Sequence, residues 1–190
     1  GTAPVVASII VTPTFTNGGV GCAGPTKTFT ITVNPTGQVN LPANQVVCNG
    51  INTAAINFAT VNTVGVTTYA WTNDNAAIGL AANGTGNIAA FAGINAGTAP
   101  VVANIVVTPT FTNGGVGCAG PTKTFTITVN PTGQVNLPAN QVLCNGSNTT
   151  AVTFGTVNTG AVPALTAAKA AMLPVPLAAS PMVALSFVQA

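Results

Sequence analysis

The fold of this chain is decided by one stretch, Lys27-Thr28-Phe29-Thr30-Ile31-Thr32-Val33. Hydroxyl and apolar side chains alternate along it with a period of two, which is the pattern of a β-strand with one buried face. Phe29 and Ile31 fall on the apolar side and are therefore predicted core residues. The same letters return at Lys123–Val129, where Phe125 and Ile127 take the corresponding positions.

The second copy of this strand belongs to a much longer internal repeat. Residues 97–159 repeat residues 1–63 with 55 of 63 positions identical. The period, from residue 1 to residue 97, is 96 residues in a chain of 190. Since 96 residues is the size of one small β domain, the sequence predicts a piece of a tandem array.

The rest of the repeat also favours short β-strands. Val5–Val11 and Val101–Val107 are almost continuously apolar, as in a central strand covered on both faces or one with small outer residues. Asn-Gly and Gly-Gly pairs mark turns between the strands. Further strands are predicted at Gln45–Cys48, Ala54–Phe58, Thr67–Thr72 and Asn87–Ala92. Strands of this length and spacing indicate an all-β fold of the β-sandwich type.

The boundaries of the repeat do not coincide with the predicted domain boundaries. Asn34-Pro35-Thr36-Gly37 and Asn130-Pro131-Thr132-Gly133 follow the strongest strands and are interpreted as linkers, because proline cannot continue a central strand. The sequence then divides into the late part of one unit (1–34), a complete unit (35–130) and the early part of a third (131–190). Gly1 begins within the pattern, so the chain is expected to be a processed product or an excerpt of something longer.

The last thirty positions depart from the repeat. Residues 161–190 contain no Gly, Asn or Trp and are rich in Ala, Leu, Val and Pro. Three interpretations stay open: a divergent tail, a sequence assigned without preserving a natural register, and a dedicated assembly segment.

The composition excludes several classes of function. Only 2% of residues are charged, and there is no His, Glu or Arg. General acid–base or nucleophilic catalysis therefore lacks its usual groups, so no enzyme and no cofactor is predicted. Four cysteines without C-x-x-C spacing make a poor zinc set, and a net charge of +2 gives no footprint for nucleic acid. No apolar stretch is long enough to span a membrane. Instead, the hydroxyl and amide groups of 31 Thr and 21 Asn are expected to hydrate the surface. Because such a surface lacks charge repulsion, it favours self-association.

Several motifs resemble a known family. They are Val11–Gly19, Cys22–Pro35, Gln45–Gly50 and Tyr69–Asn73. These motifs resemble the PKD-like, immunoglobulin-like repeats of very large secreted proteins of Bacteroidota. The resemblance covers residues 1–160 and implies an extracellular or cell-surface adhesive, structural array with immunoglobulin-like units and without catalytic residues.

The cysteines form two pairs related by the repeat. Within the complete unit, Cys48 and Cys118 flank Trp71 in the Cys–Trp–Cys order of immunoglobulin sandwiches, so an intra-unit disulfide between them is predicted, with four buried free thiols as the alternative. Cys22 and Cys144 would then bond between neighbouring chains. Trp71 and Tyr69 are predicted core residues; a sugar-binding platform is the alternative.

These observations lead to a structural hypothesis. Residues 131–190 of one chain and residues 1–34 of the next together hold almost one repeat, so they could complete one sandwich by β-strand complementation. The contact joins different surfaces and therefore propagates into an extracellular filament of copies of the chain. The alternatives are a glycan- or ice-binding adhesin, whose Thr/Asn face is the working surface, and an excerpt of one long continuous repeat protein.

Overall fold

The structure, a computed structural model, describes residues 1–144 and 146–159. The divergent segment 161–190 lies outside these described residues. The chain is all-β, apart from a single 3-10 turn at Ala76–Ile78 among the described residues. Its strands are β1 (Val5–Val11), β2 (Thr14–Asn17), β3 (Val20–Ala23), β4 (Lys27–Val33), β5 (Gln45–Cys48), β6 (Val66–Asn73), β7 (Asn83–Thr85), β8 (Val101–Asn113), β9 (Val116–Ala119) and β10 (Lys123–Asn130).

The main sheet has the order β5-β10-β8-β6-β7. All of its pairs are antiparallel except β5–β10, and β9 pairs with the second half of β8. β8 is the long central strand, with β10 and β6 paired along its two edges. Buried residues alternate along it, so the expectation of a strand covered on both faces is wrong. The core lies on one face of this sheet, where alternating residues of β8 and β10 are buried: Ala103, Ile105, Val107, Phe125, Ile127 and Val129.

Less regular backbone covers that face. Val39, Ile56, Phe58, Ile78 and Ile88 pack into the same cluster as the sheet residues. The strands predicted at 54–58 and 87–92 are wrong as regular strands. The two segments meet in the isolated bridge Ile56↔Ile88 and in the bond from Phe58 N–H to Asn87 Oδ1 at 2.9 Å, without a continuous ladder.

The two copies of the repeat adopt the same local structure. β1 and β4 form a two-stranded antiparallel sheet that runs from Val5↔Val33 to Val11↔Lys27. In the complete unit, β8 and β10 pair from Val101↔Val129 to Val107↔Lys123, which is the same register displaced by one period. The hairpin β2–β3 likewise repeats the pairing of β9 with the end of β8.

The early part of the repeat is also duplicated. Asn40 N–H donates to Ala59 O at 2.8 Å, and one period later Asn136 N–H donates to Gly155 O at 2.8 Å. The side chain of Gln45 bonds both backbone groups of Ala54, at 3.1 and 2.9 Å, and Gln141 does the same with Thr150 at 3.1 and 2.9 Å. These hydrogen bonds of residues 131–144 and 146–159 therefore repeat those of residues 35–63, although Gln141–Cys144, the counterpart of β5, is not in a strand.

Candidate interaction surface

The sheet formed by β1 and β4 leaves its apolar face uncovered. Phe29 is 51% exposed and Ile31 is 50% exposed, whereas their counterparts Phe125 and Ile127 are 2% and 0% exposed. The prediction that Phe29 and Ile31 are core residues is therefore wrong for the described structure, although Phe125 and Ile127 confirm it for the second copy. The sequence and the strand register are the same, so the difference comes from what lies against the face.

In the complete unit, two layers of contact provide the cover. β5 extends the sheet next to β10, with Ile127↔Gln45 and Asn130↔Cys48 at the ends of the parallel register. Phe58 packs on the core face, with ring centroids 6.4 Å from Phe125 and 5.2 Å from Tyr69. β5 and Phe58 both belong to residues 35–63. β6 and the segment after it complete the cover of this face.

Residues 131–159 carry the same covering side chains, and they too are exposed. Phe154, the counterpart of Phe58, is 42% exposed where Phe58 is 8% exposed. Val135 and Val152 are exposed, whereas their counterparts Val39 and Ile56 are buried. The chain thus presents two apolar surfaces. We call β1–β4 the open sheet and residues 131–159 the open cover.

The joint between successive units is built from amides and backbone. The Asn34 side chain donates to Asn113 O at 2.9 Å, and Asn113 Nδ2 donates to Asn34 Oδ1 at 2.9 Å. Gly37 N–H donates to Cys118 O at 3.0 Å. The Asn34-Pro35-Thr36-Gly37 segment is therefore seated on the β8–β9 hairpin and is not a loose linker. The sequence identified the proline and glycine of this segment, but it gave no sign that Asn34 would pair with Asn113, 79 residues away.

A second amide holds the other side of the joint. Asn62 Oδ1 accepts from Gln38 N–H at 2.7 Å, and Asn62 Nδ2 lies 3.1 Å from Thr36 O and 3.4 Å from Thr2 O. Asn158 repeats these bonds one period later, with Gln134 N–H at 2.6 Å, Thr132 O at 3.1 Å and Thr98 O at 3.4 Å. Sequence analysis missed both residues, since an asparagine in an Asn-rich chain carries no distinguishing signal.

The predicted aromatic core residues lie together in the complete unit. Trp71 is buried against Gly84, and Tyr69 is partly buried against the same cluster. Burial raises the pKa of the Tyr69 hydroxyl, with a smaller opposing contribution from its bond with Thr60. The Trp71 indole N–H has no hydrogen-bond partner. A buried indole has no open face, which disfavours Trp71 as a sugar platform.

The cysteines do not form the predicted pairs. All four are free thiols. Cys48 lies opposite Asn130, next to the start of β8, whereas Cys118 lies opposite Phe111 near its end. The intervening length of β8 spans about 30 Å at 3.3 Å per residue, whereas a disulfide requires Cα atoms within about 7 Å. The structure therefore contradicts the Cys48–Cys118 bond. Cys22 and Cys144 occupy the same repeat positions, so the same separation removes the reason for pairing them between chains.

The single acidic side chain is tied to the sheet. Asp74 accepts from Asn104 N–H at 2.7 Å and from Asn104 Nδ2 at 2.7 Å. The side-chain bond from Asn104 lowers the pKa of the Asp74 carboxyl, and the backbone bond adds to it. Asn104 is one of the eight differences between the copies, where the first copy has Ser8. This contact is thus particular to the complete unit.

Across 1–144 and 146–159, no three His, Cys, Asp or Glu side chains gather in a group that could hold a metal ion. In the same part of the chain, no helix has the length and apolar character needed to cross a bilayer.

Comparison with protein-family models, with curated proteins and with solved structures finds no match to this chain. The resemblance to PKD-like repeats is therefore an expectation from the motifs alone.

Proposed function

We propose that the protein is a structural subunit of an extracellular filament or surface fibre, in which the open cover of one copy completes the open sheet of the next. The observation that carries the proposal is the pair Phe29 and Phe125. They share one sequence and one strand register, yet Phe125 is 2% exposed and Phe29 is 51% exposed. Part of the missing cover has a known form, because residues 35–63, which help to bury Phe125, recur in sequence as residues 131–159.

The unit so completed is proposed to be an immunoglobulin-like sandwich. Its template is the complete unit, in which the main sheet forms one layer and the irregular backbone of residues 38–63 and 76–92 lies on the core face. The PKD-like motifs support this assignment and the extracellular location. The near absence of charge supports self-association, because no like-charge repulsion opposes contact between copies.

The energetics favour a contact of this kind. Burying one large aliphatic or aromatic side chain gains about 1.5–3 kcal/mol, and bringing two molecules together costs about 4–15 kcal/mol. One side chain is therefore insufficient, but the two open surfaces contribute at least six: Phe29, Ile31, Val33, Val135, Val152 and Phe154. The open sheet already has the strand register of the complete unit, and the open cover already repeats several of its hydrogen bonds, which reduces the ordering cost of association.

The geometry of the contact produces a polymer. The open sheet and the open cover are different surfaces, so their contact is heterologous and leaves one of each free on every growing assembly. Without disulfides, the assembly is held by noncovalent contacts. In a continuous polypeptide with more repeats, the same contacts form within one chain.

A cysteine pair tests this directly. By the register of β5 and β10, Thr32 should lie opposite Val142 of the neighbouring copy, as Thr128 lies opposite Val46 within the complete unit. We expect the variant Thr32→Cys with Val142→Cys, made with the four native cysteines changed to Ser, to give a ladder of cross-linked oligomers on oxidation. The control, Thr128→Cys with Val46→Cys in the same background, should cross-link within each chain and run as a monomer.

Two results would count against the proposal. A Thr32→Cys, Val142→Cys variant that stays monomeric after oxidation, while the control cross-links, would exclude this contact between copies. Discrete particles in negative-stain images of concentrated protein would exclude a filament. Native fibres that run as one very long polypeptide on a denaturing gel would instead place the contact within a continuous chain.

The outer face of the sheet supports a second candidate, an adhesin. Thr68, Thr72 and Thr124 are exposed there, on the face opposite the core. Such hydroxyl rows suit a glycan or an ice surface. Binding on a glycan array or inhibition of ice recrystallisation, lost on changing Thr72 and Thr124 to Lys, would support this function.

A further inference from the structure

The joint within the chain shows a hairpin that receives a four-residue segment. The end of β8 and β9 hold the Asn34-Pro35-Thr36-Gly37 segment through the Asn34–Asn113 amide bonds at 2.9 Å and the bond from Gly37 N–H to Cys118 O at 3.0 Å. Gly37 is buried in this contact, and a Cβ added there would lie 2.6 Å from Pro109 O. The hairpin therefore accepts glycine at this position and no larger residue.

The first hairpin, β2–β3, has the same structure. Its register runs from Thr14↔Ala23 to Asn17↔Val20, as that of the second runs from Thr110↔Ala119 to Asn113↔Val116. The turn glycines Gly18 and Gly19 have φ of 59° and 80°, against 58° and 78° at Gly114 and Gly115. Gly24 N–H donates to Pro13 O at 2.8 Å, as Gly120 N–H donates to Pro109 O at 2.8 Å.

The two hairpins differ in what lies against them: β6 also pairs with the end of β8, whereas β2 pairs only with β3. A Cβ on Gly120 would collide with the backbone of Gly37, whereas a Cβ on Gly24 would meet only Pro13 of its own hairpin. In the second Asn-Pro-Thr-Gly segment, 130–133, Gly133 is likewise open, because a Cβ there would have no atom within 4 Å, while Asn130 O and Thr132 Oγ1 accept hydrogen bonds from Asn49 of the same chain. The chain thus carries one preformed acceptor hairpin and one segment of the sequence that such a hairpin holds.

We propose that β2–β3 is a binding site for the Asn130-Pro131-Thr132-Gly133 segment of a second copy. Asn130 would exchange amide hydrogen bonds with Asn17, and Gly133 would donate its N–H to Cys22 O. This site rests on the proposed head-to-tail assembly and adds a second, polar contact to the apolar one. It fixes the axial position of the neighbour, since one residue of slip would place threonine or glutamine where only glycine fits.

The test changes Gly133 to Ala. Residue 133 is exposed and has open space, so Gly133→Ala should melt at the temperature of the unmodified chain. Association should weaken by about tenfold or more, which corresponds to about 1.4 kcal/mol. Sedimentation velocity over a concentration series measures the concentration at which half of the chains are associated. Gly21→Ala is the matched control, because the equivalent Gly117 meets only Thr110 and Thr112 of its own hairpin.

A second variant guards against an unforeseen folding defect. Asn17→Ala removes the amide that should bond to Asn130 and lies on an exposed hairpin end, so it should also weaken association and leave the melting temperature unchanged. Unaltered association of Gly133→Ala and Asn17→Ala would overturn this site and leave the apolar contact standing. Failure of the unmodified chain to associate at any concentration would overturn the proposed function, and this site with it.

Discussion

Phe29 and Phe125 show that the burial of a side chain depends on its surroundings as well as on its own sequence. Each lies in the same seven-residue sequence, opposite the equivalent isoleucine, Ile9 or Ile105. Only Phe125 meets the ring of Phe58, at 6.4 Å. A strand with alternating pattern has an apolar face by construction, but the pattern does not specify whether a partner covers that face.

This difference gives a matched pair of substitutions. Phe125→Ala removes a fully buried ring and should lower the free energy of unfolding of the complete unit by about 3–5 kcal/mol. Phe29→Ala should change it by less than about 0.5 kcal/mol in dilute, unassociated protein, yet should weaken association. Chemical denaturation at low concentration measures the first effect and sedimentation the second. Equal destabilisation by the two variants would show that Phe29 is already covered in the single chain.

Asp74 determines how the unit responds to acid. Its pKa is lowered in the folded state by the bond from Asn104, so its ionised form stabilises the fold above the unfolded pKa. That contribution should be lost as the pH falls through the folded pKa, which lies below the ordinary value of an aspartate. We expect a melting temperature that changes little from about pH 5 to pH 7, since the chain has no histidine, and falls at lower pH.

The control for this acid response is Asp74→Asn. It removes the titrating group, so its melting temperature should decline less between pH 5 and pH 2. A variant that falls as steeply as the unmodified chain would assign the acid response to another group.

At the scale of elements, the strands that alternate or run apolar were predictable, and the covering layer was not. β1, β4 and β5 have the predicted bounds, whereas β8 extends six residues beyond Val107 because β6 and β9 pair with its second half. The segments 54–58 and 87–92 read as strands from their apolar content. In the structure, side-chain bonds such as Gln45 to Ala54 and Asn87 to Phe58 replace ladder bonds there. Sequence patterns register side-chain polarity, but they do not register which backbone groups an amide side chain will satisfy.

Asn62 is the clearest case of such an amide, and it can be tested against its own repeat. Asn62→Ala leaves Gln38 N–H and Thr36 O without their partners, which should destabilise the complete unit by about 1–3 kcal/mol. Asn158→Ala removes the same bonds in the open cover, outside the complete unit, and should leave the main unfolding transition unchanged. Identical effects of the two variants in dilute protein would show that the open cover unfolds together with the unit.

At the scale of the whole molecule, one part of the joint occurs twice, namely the bonds around Asn62 and around Asn158. Thr63 N–H donates to Thr2 O at 2.9 Å, and Thr159 N–H donates to Thr98 O at 2.9 Å. Together with the side-chain bonds of Asn62 and Asn158, these bonds repeat one local geometry at an interval of 96 residues. A joint that repeats within the chain is suited to repeat between chains, and neither joint contains a charged side chain.

The nearly uncharged surface makes a specific prediction about salt. The chain has three Lys and one Asp, and the open sheet has one of them, Lys27. Electrostatic screening therefore has little to act on, and raising NaCl from about 50 mM to 500 mM should change the association constant by less than about twofold. Sulfate should strengthen association, because it favours burial of apolar surface. Light scattering across both salt series measures this. A steep loss of association with NaCl would show that charge, and not the apolar faces around Phe29 and Phe154, holds the copies together.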